Sequence, residues 1–213
     1  MLMRQEEVFF QSRQESAQWL WLELIGFDNQ LPDFGVSGFL ERCQFQPDGV
    51  SLLLFSAGFV MRHMDLDQAY ALQPYEQSYA GHPYSLERPR QNWTNWQLRD
   101  LIAVLHTHQI KVFLSFFNLY TSVGDDQAIV VDSYFQALPY LRETSREGMA
   151  QYSIHMLKRM EDGSFFEDHL QQQTIKVLKD YAFDGVQIAD GISSTRLALQ
   201  DGDYSDDLVD QFI

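Results

Sequence analysis

Short, mainly apolar runs alternate four times along this chain with stretches whose apolar residues recur every three or four positions. Residues 19–27, WLWLELIGF, form the first run, interrupted by Glu23, and residues 34–43 follow as a short helix. Gly49 leads into VSLLLFSAGF, a second run ending near Gly58. Thr94 and Gln97 make a Thr-x-x-Gln capping box for a helix carrying Leu98, Leu101, Ile102 and Leu105 on one face, and KVFLSFF follows as the third run. Leu170, Ile175, Leu178 and Ala182 mark the inner face of a fourth helix, which leads into DGVQIAD. Strands that are apolar on both faces and separated by helices predict a parallel sheet with helical cover, an α/β chain.

None of the runs is followed by G-x-G-x-x-G or G-x-x-x-x-G-K-[ST], so the phosphate-cradling chemistry of doubly wound folds is missing. The expected architecture is a (β/α)8 TIM barrel. With 213 residues and about four βα units it would be incomplete, since such barrels take about 250 residues. The expected organisation is a single domain over 1–213, the N-terminal part of a longer barrel, with long insertions at about 61–92 and 121–164. Both insertions follow the C-terminal end of a strand, the face on which barrels build their sites. The first is rich in Tyr and Pro. The second is expected to hold a helix around 133–141 and a hairpin through Tyr152, Ile154 and Met156 before the turn at Glu161-Asp162-Gly163. Ser205 is placed as the N-cap of a last helix beginning at Asp206.

Charge narrows the partners. Thirty Asp and Glu against fifteen Lys and Arg give a formal charge of -15, which repels phosphate backbones and anionic lipid. Neither a nucleic acid nor a membrane surface is expected as a partner, and a neutral or cationic ligand fits better. One cysteine, Cys43, supports no disulfide framework and no thiolate cluster, which favours a reducing, cytoplasmic setting. The N-terminus breaks its apolar residues with charges, and no window reaches the ~18 apolar residues of a membrane span. Asn92-Trp93-Thr94 matches a glycosylation sequon and is read as a chance match. The six histidines lack metal-ligand spacing, and Asp201 to Asp203 lack the pattern of a calcium loop, so no metal and no cofactor are expected.

Two segments carry a family resemblance. LRDLIAVLHTHQIKVFLSFFNLYTS resembles the helix and third strand of TIM-barrel glycoside hydrolases, especially the alpha-amylase-like superfamily, and YAFDGVQIADGIS resembles the fourth strand of that group. The resemblance implies a glycosidase-like protein acting on an oligosaccharide or glycoside by carboxylate acid/base catalysis. The sequence departs from the amylase-like pattern, in which an Arg stands two residues before the nucleophilic Asp. Here Gln187 and Ala189 hold those positions, and Asp190 comes one residue late. The chitinase-like pattern would need acids at 187, 189 and 191, where Gln187, Ala189 and Gly191 stand.

Asp190, at the rim of the last strand, is the candidate acid or nucleophile, with a loop cap as its structural alternative. Gln187 is expected to point into the barrel. Asn118 after the third strand is a candidate hydrogen-bond partner for a sugar hydroxyl, and Tyr120 a platform for a pyranose ring. Arg62 and His63 are rim candidates after the second strand. Glu23 is either a ligand-binding residue inside the barrel or a residue on an exposed face, since burying it unpaired is costly. Asp28, Asp65, Asp67, Asp125 and Asp126 are loop acids near strand ends, read as solvated. The second carboxylate of a glycosidase is expected from a later strand. A non-catalytic carbohydrate-binding barrel and another barrel enzyme, a lyase or isomerase, remain alternatives. Self-association through exposed barrel edges is a further expectation.

Overall fold

The computed structural model describes residues 17–78, 81–85, 88–117, 121–123, 129–189 and 202–211. Four strands, β1 (Trp19–Leu22), β2 (Gly49–Ser56), β3 (Lys111–Phe117) and β8 (Gly185–Ile188), form an all-parallel sheet in the order β1-β2-β3-β8. The order follows the chain, with no reversal of direction among these four. Between β3 and β8 the chain makes two small antiparallel pairs, β4 (Thr121–Val123) with β5 (Ile129–Val131), and β6 (Arg142–Thr144) with β7 (Ala150–Ile154). The expected hairpin through Tyr152, Ile154 and Met156 with its turn at Glu161-Asp162-Gly163 does not form: β7 stops at Ile154 and pairs backwards with β6, and around residues 161–163 a single antiparallel bridge joins Arg159 and Phe165.

The helices are α1 (Val36–Cys43), α2 (Ala57–Arg62), α3 (Pro74–Gln77), α4 (Asn95–Thr107), α5 (Phe166–Tyr181) and α6 (Asp206–Asp210). The α4 helix starts as its capping box dictates: the Thr94 hydroxyl accepts from the Gln97 amide, and the Gln97 side chain accepts from the Thr94 amide. Its buried residues are Leu98, Leu101, Ile102 and Leu105. The Asp33 carboxylate holds the start of α1 by accepting from the amides of Gly35 and Ser37, both at 3.0 Å.

Two faces of the sheet differ in chemistry. Val50, Leu52, Leu54, Val112, Leu114 and Phe116 alternate onto one face and join the helix residues in the core. The other face follows the register Trp21↔Ser51↔Phe113↔Gly185, and one level higher Leu53↔Ser115↔Gln187. Large and small residues interleave across strands here: a Cβ at Gly49 would come within 2.3 Å of the Trp19 ring, and one at Gly185 within 2.7 Å of Phe113. Small barrels fill their interiors with such alternation. Trp19 and Trp21, on this second face, remain 44% and 47% exposed.

Several local expectations change. The first strand ends at Leu22, and residues 24–26 make a turn of 3-10 helix, so Glu23 sits at the strand's C-terminal end rather than inside it. Residues 133–141 form two 3-10 turns, Phe135–Ala137 and Pro139–Leu141, not an α-helix. Pro139 has no amide hydrogen and drives Leu138 out of the helical region, to φ -124° and ψ 53°. The inner face of α5 is Phe166, Leu170, Val177 and Tyr181, whereas Ile175 is 45% exposed and Ala182 lies past the helix in a left-handed cap. Ser205 does precede α6, but its side chain makes no cap bond. Among the described residues no helix is long and apolar enough to cross a membrane.

Candidate functional site at the C-terminal ends of the strands

The strand ends are organised around β2. A register shift between Leu53 and Ser56 puts Phe55 at φ 57°, a left-handed conformation that costs a non-glycine residue about 1–3 kcal/mol and is characteristic of functional rims. Past this bulge, the Ser56 hydroxyl donates to Asp132 Oδ2 at 2.6 Å. The other oxygen of Asp132 accepts from Arg62 Nη1 at 2.6 Å and from the Tyr134 amide at 3.0 Å. The second guanidinium nitrogen of Arg62 contacts Glu76, whose other oxygen accepts from the Gln73 amide at 2.7 Å to complete the cap of α3. Asp132 and Glu76 are buried, 0% and 2% exposed. Buried carboxylates are tolerated when paired and fully hydrogen-bonded, and Arg62 supplies the charge for both. This network fastens the insertion after β3 onto the end of β2.

A second buried pair lies under β6 and β7. Lys158 stands 3.2 Å from Asp203 Oδ2 and donates to the Ser205 hydroxyl. Asp203 Oδ1 accepts from the amides of Thr144 and Ser205 at 3.0 and 2.9 Å. Residues 203–205 are thereby held against the insertion. Burial pushes the nearby His155 imidazole below its ordinary value, partly offset by the charge of Asp203. In the same insertion the Ser153 hydroxyl donates to the buried Glu143 at 2.6 Å.

Gln187 lies on the second face of the sheet, beside Ser115 and Leu53, and accepts a hydrogen bond from Ser51. The neighbouring Ser115 is fully buried, and its hydroxyl has no hydrogen-bond partner among the described residues. Arg62 stands at the β2 rim within the Asp132 and Glu76 network, and its side chain is 22% exposed. Glu23 is half-buried at the β1 rim. Asp190, Asn118, Tyr120, Asp125 and Asp126 lie outside the described residues. His63 is buried away from the rim set, between Asp180, at 2.7 Å from its Nε2, and the Tyr70 hydroxyl, at 3.4 Å from its Nδ1. Trp93 is core, packed beside Phe34, while Trp96 is 39% exposed and donates to the Leu66 carbonyl.

Sequence reasoning missed Asp132, Glu76, Lys158 and Asp203. Asp132 had one usable signal, a carboxylate closing the apolar run Ile129-Val130-Val131. Lys158 and Asp203 are 45 positions apart, and no local pattern links them. Among the described residues no group of three or more His, Cys, Asp or Glu side chains is placed to hold a metal ion.

No family model matches the sequence, nor does any curated protein. The chain is similar to solved structures of alpha-amylase-like glycoside hydrolases and related enzymes. One is a noncanonic maltogenic alpha-amylase from Thermotoga neapolitana, at 10% identity and TM-score 0.46, covering 81% of this chain and 38% of that one. A cycloalternan-forming enzyme from Listeria monocytogenes matches at 10% identity and TM-score 0.42, covering 81% and 16%. A cycloalternan-degrading enzyme from Trueperella pyogenes matches at 16% identity and TM-score 0.41, covering 81% and 24%. The chain spans well under half the length of these structures.

Proposed function

We propose that this chain is part of a (β/α)8 barrel protein of the glycoside hydrolase kind, acting on an oligosaccharide or glycoside, with its site on the face that carries Gln187, at the C-terminal ends of the strands. The observation that carries this reading is the sheet itself. Four parallel strands in chain order, with one face packed in the main helical core and interleaved large and small residues on the other, are what one side of a barrel wall would have, and both long insertions leave from strand C-termini. On this reading Asp190, directly after Ala189, acts as acid or nucleophile. Gln187, Asn118, Tyr120, Arg62 and Glu23 shape the sugar site. The partner carboxylate comes from a strand outside the described sheet. The single cysteine fits a cytoplasmic location. The outer edges of β1 and β8, unpaired among the described residues, are where the chain would self-associate when expressed alone.

One observation favours the non-catalytic carbohydrate-binding reading. The buried rim carboxylates Asp132 and Glu76 are both committed to Arg62, which leaves neither placed for acid/base work. The test is turnover of a panel of aryl glycosides by the complete gene product and by its Asp190→Asn variant. A fall by orders of magnitude in a folded variant supports the catalytic reading. Turnover unchanged by the substitution rejects Asp190, and sugar binding without turnover selects the binding module.

A further inference from the structure

A polar cavity of about 600 Å³ opens where the loop after β1 meets the end of the segment that follows β2. Its volume is in the range of small-molecule sites. Asp28, Asn29 and Gln30 line one side, and Arg88, Gln91 and Asn92 the other. Direct bonds between residues some sixty positions apart hold the walls together. The Asn29 amide donates to Gln91 Oε1 at 2.8 Å, Asn29 Nδ2 to the Asn92 carbonyl at 2.7 Å, and Gln91 Nε2 to Asp28 Oδ1 at 2.7 Å. The hydrogen bond from Gln91 lowers the pKa of Asp28, helped by the Gln30 amide and by the charge of Arg88. Asp28 is therefore a fixed carboxylate at neutral pH, and Arg88 Nε faces it at 3.7 Å.

Against this bonded frame, the side-chain amides of Gln30 and Asn92 line the cavity, exposed to solvent and with no side-chain hydrogen bond among the described residues. We infer that this cavity is a binding site for a neutral polyhydroxyl ligand, a sugar unit, separate from the face that carries Gln187. A carboxamide offers two donors and an acceptor in one plane, and a sugar hydroxyl is both donor and acceptor, so two free amides match neighbouring hydroxyls. An anion is disfavoured because the Arg88 guanidinium already faces the Asp28 carboxylate and the chain carries a charge of -15. The wall-to-wall bonds fix the backbone under both amides before any ligand arrives, which lowers the ordering cost of binding.

The inference stands apart from the proposed catalytic reading, and one titration separates them. The 15N-labelled complete gene product is titrated by NMR with maltotriose, isomaltotriose, cellotriose and xylotriose, and in parallel with inorganic phosphate. The expected result is that at least one trisaccharide shifts the side-chain amides of Gln30 and Asn92. The Gln30→Ala/Asn92→Ala variant, with an unchanged thermal midpoint, should then bind at least tenfold more weakly. Sugar shifts confined to Gln187 and its neighbours would overturn this site while leaving the proposed function standing. Shifts at Gln30 and Asn92 with phosphate alone, or with none of these probes, would also overturn it.

Discussion

Gly58 gives the sharpest energetic test of how the β2 rim is built. It is the second residue of α2, where Ala is ordinarily preferred, and Gly→Ala at a compatible position stabilises by about 0.4–1 kcal/mol through the unfolded chain. In this fold a Cβ at Gly58 would lie 2.1 Å from Asp132 Oδ1 and 2.3 Å from its Cγ. The carboxylate has nowhere to go, because Ser56, Arg62 and the Tyr134 amide pin both oxygens. Overpacking of this kind costs roughly 1–3 kcal/mol, so Gly58→Ala should destabilise by about 2 kcal/mol. Asp132→Ala alone strands Arg62 beside Glu76. Breaking a buried pair costs about 3–5 kcal/mol, and the lower end applies because Arg62 is 22% exposed and keeps one partner. In the Asp132→Ala background the obstacle to Cβ is gone, so Gly58→Ala should become neutral or stabilising. The coupling is therefore about 2–3 kcal/mol, within the range measured for contacting residues. Urea unfolding of the four species, followed by tryptophan fluorescence, reads all the terms. An equal cost for Gly58→Ala in both backgrounds would refute the reasoning.

Three further perturbations test other parts of the structure. Lys158→Met leaves Asp203 buried without its cation and should cost about 3 kcal/mol or more, with faster hydrogen exchange over residues 203–211; unchanged exchange there would show that the pair does not hold the segment. Ser115→Ala removes a buried hydroxyl that has no partner among the described residues and should be neutral or stabilising by up to ~1 kcal/mol in a thermal melt, whereas a clear loss would mean that the hydroxyl is used. Because His155 titrates below its unfolded value of about 6.5, the folded state resists protonation, so stability should fall as pH drops below that value. His155→Gln should flatten this acid limb of the stability curve, and an unaltered limb would remove His155 as its cause.

Legibility in the sequence followed locality. The β3 strand and the Thr94–Gln97 cap of α4 are set by residues within a few positions of one another, and they stand where the sequence places them. The placement of Gln187 on the same face of the sheet as Ser115 follows from strand alternation alone. Where local signals competed, the stronger chemistry won. Pro139 broke a helical pattern, and the apolar run through residues 24–27 left the strand for a turn that buries Leu24 and Phe27 against the core. The rim network was illegible because Arg62 meets Asp132 across 70 positions, and only the packed fold brings the two together. The same holds for the cavity at Asn29 and Gln91, whose walls come from separate loops.

The central proposal is that the face of the parallel sheet carrying Gln187 is a barrel interior with a sugar site at its C-terminal end. The most direct measurement is a crystal structure of the complete gene product with an oligosaccharide bound. The account predicts four further parallel strands closing on β1 and β8, and a sugar ring within hydrogen-bond distance of Asp190 above Gln187. An open sheet, or a closed barrel whose sugar lies away from both residues, would contradict it.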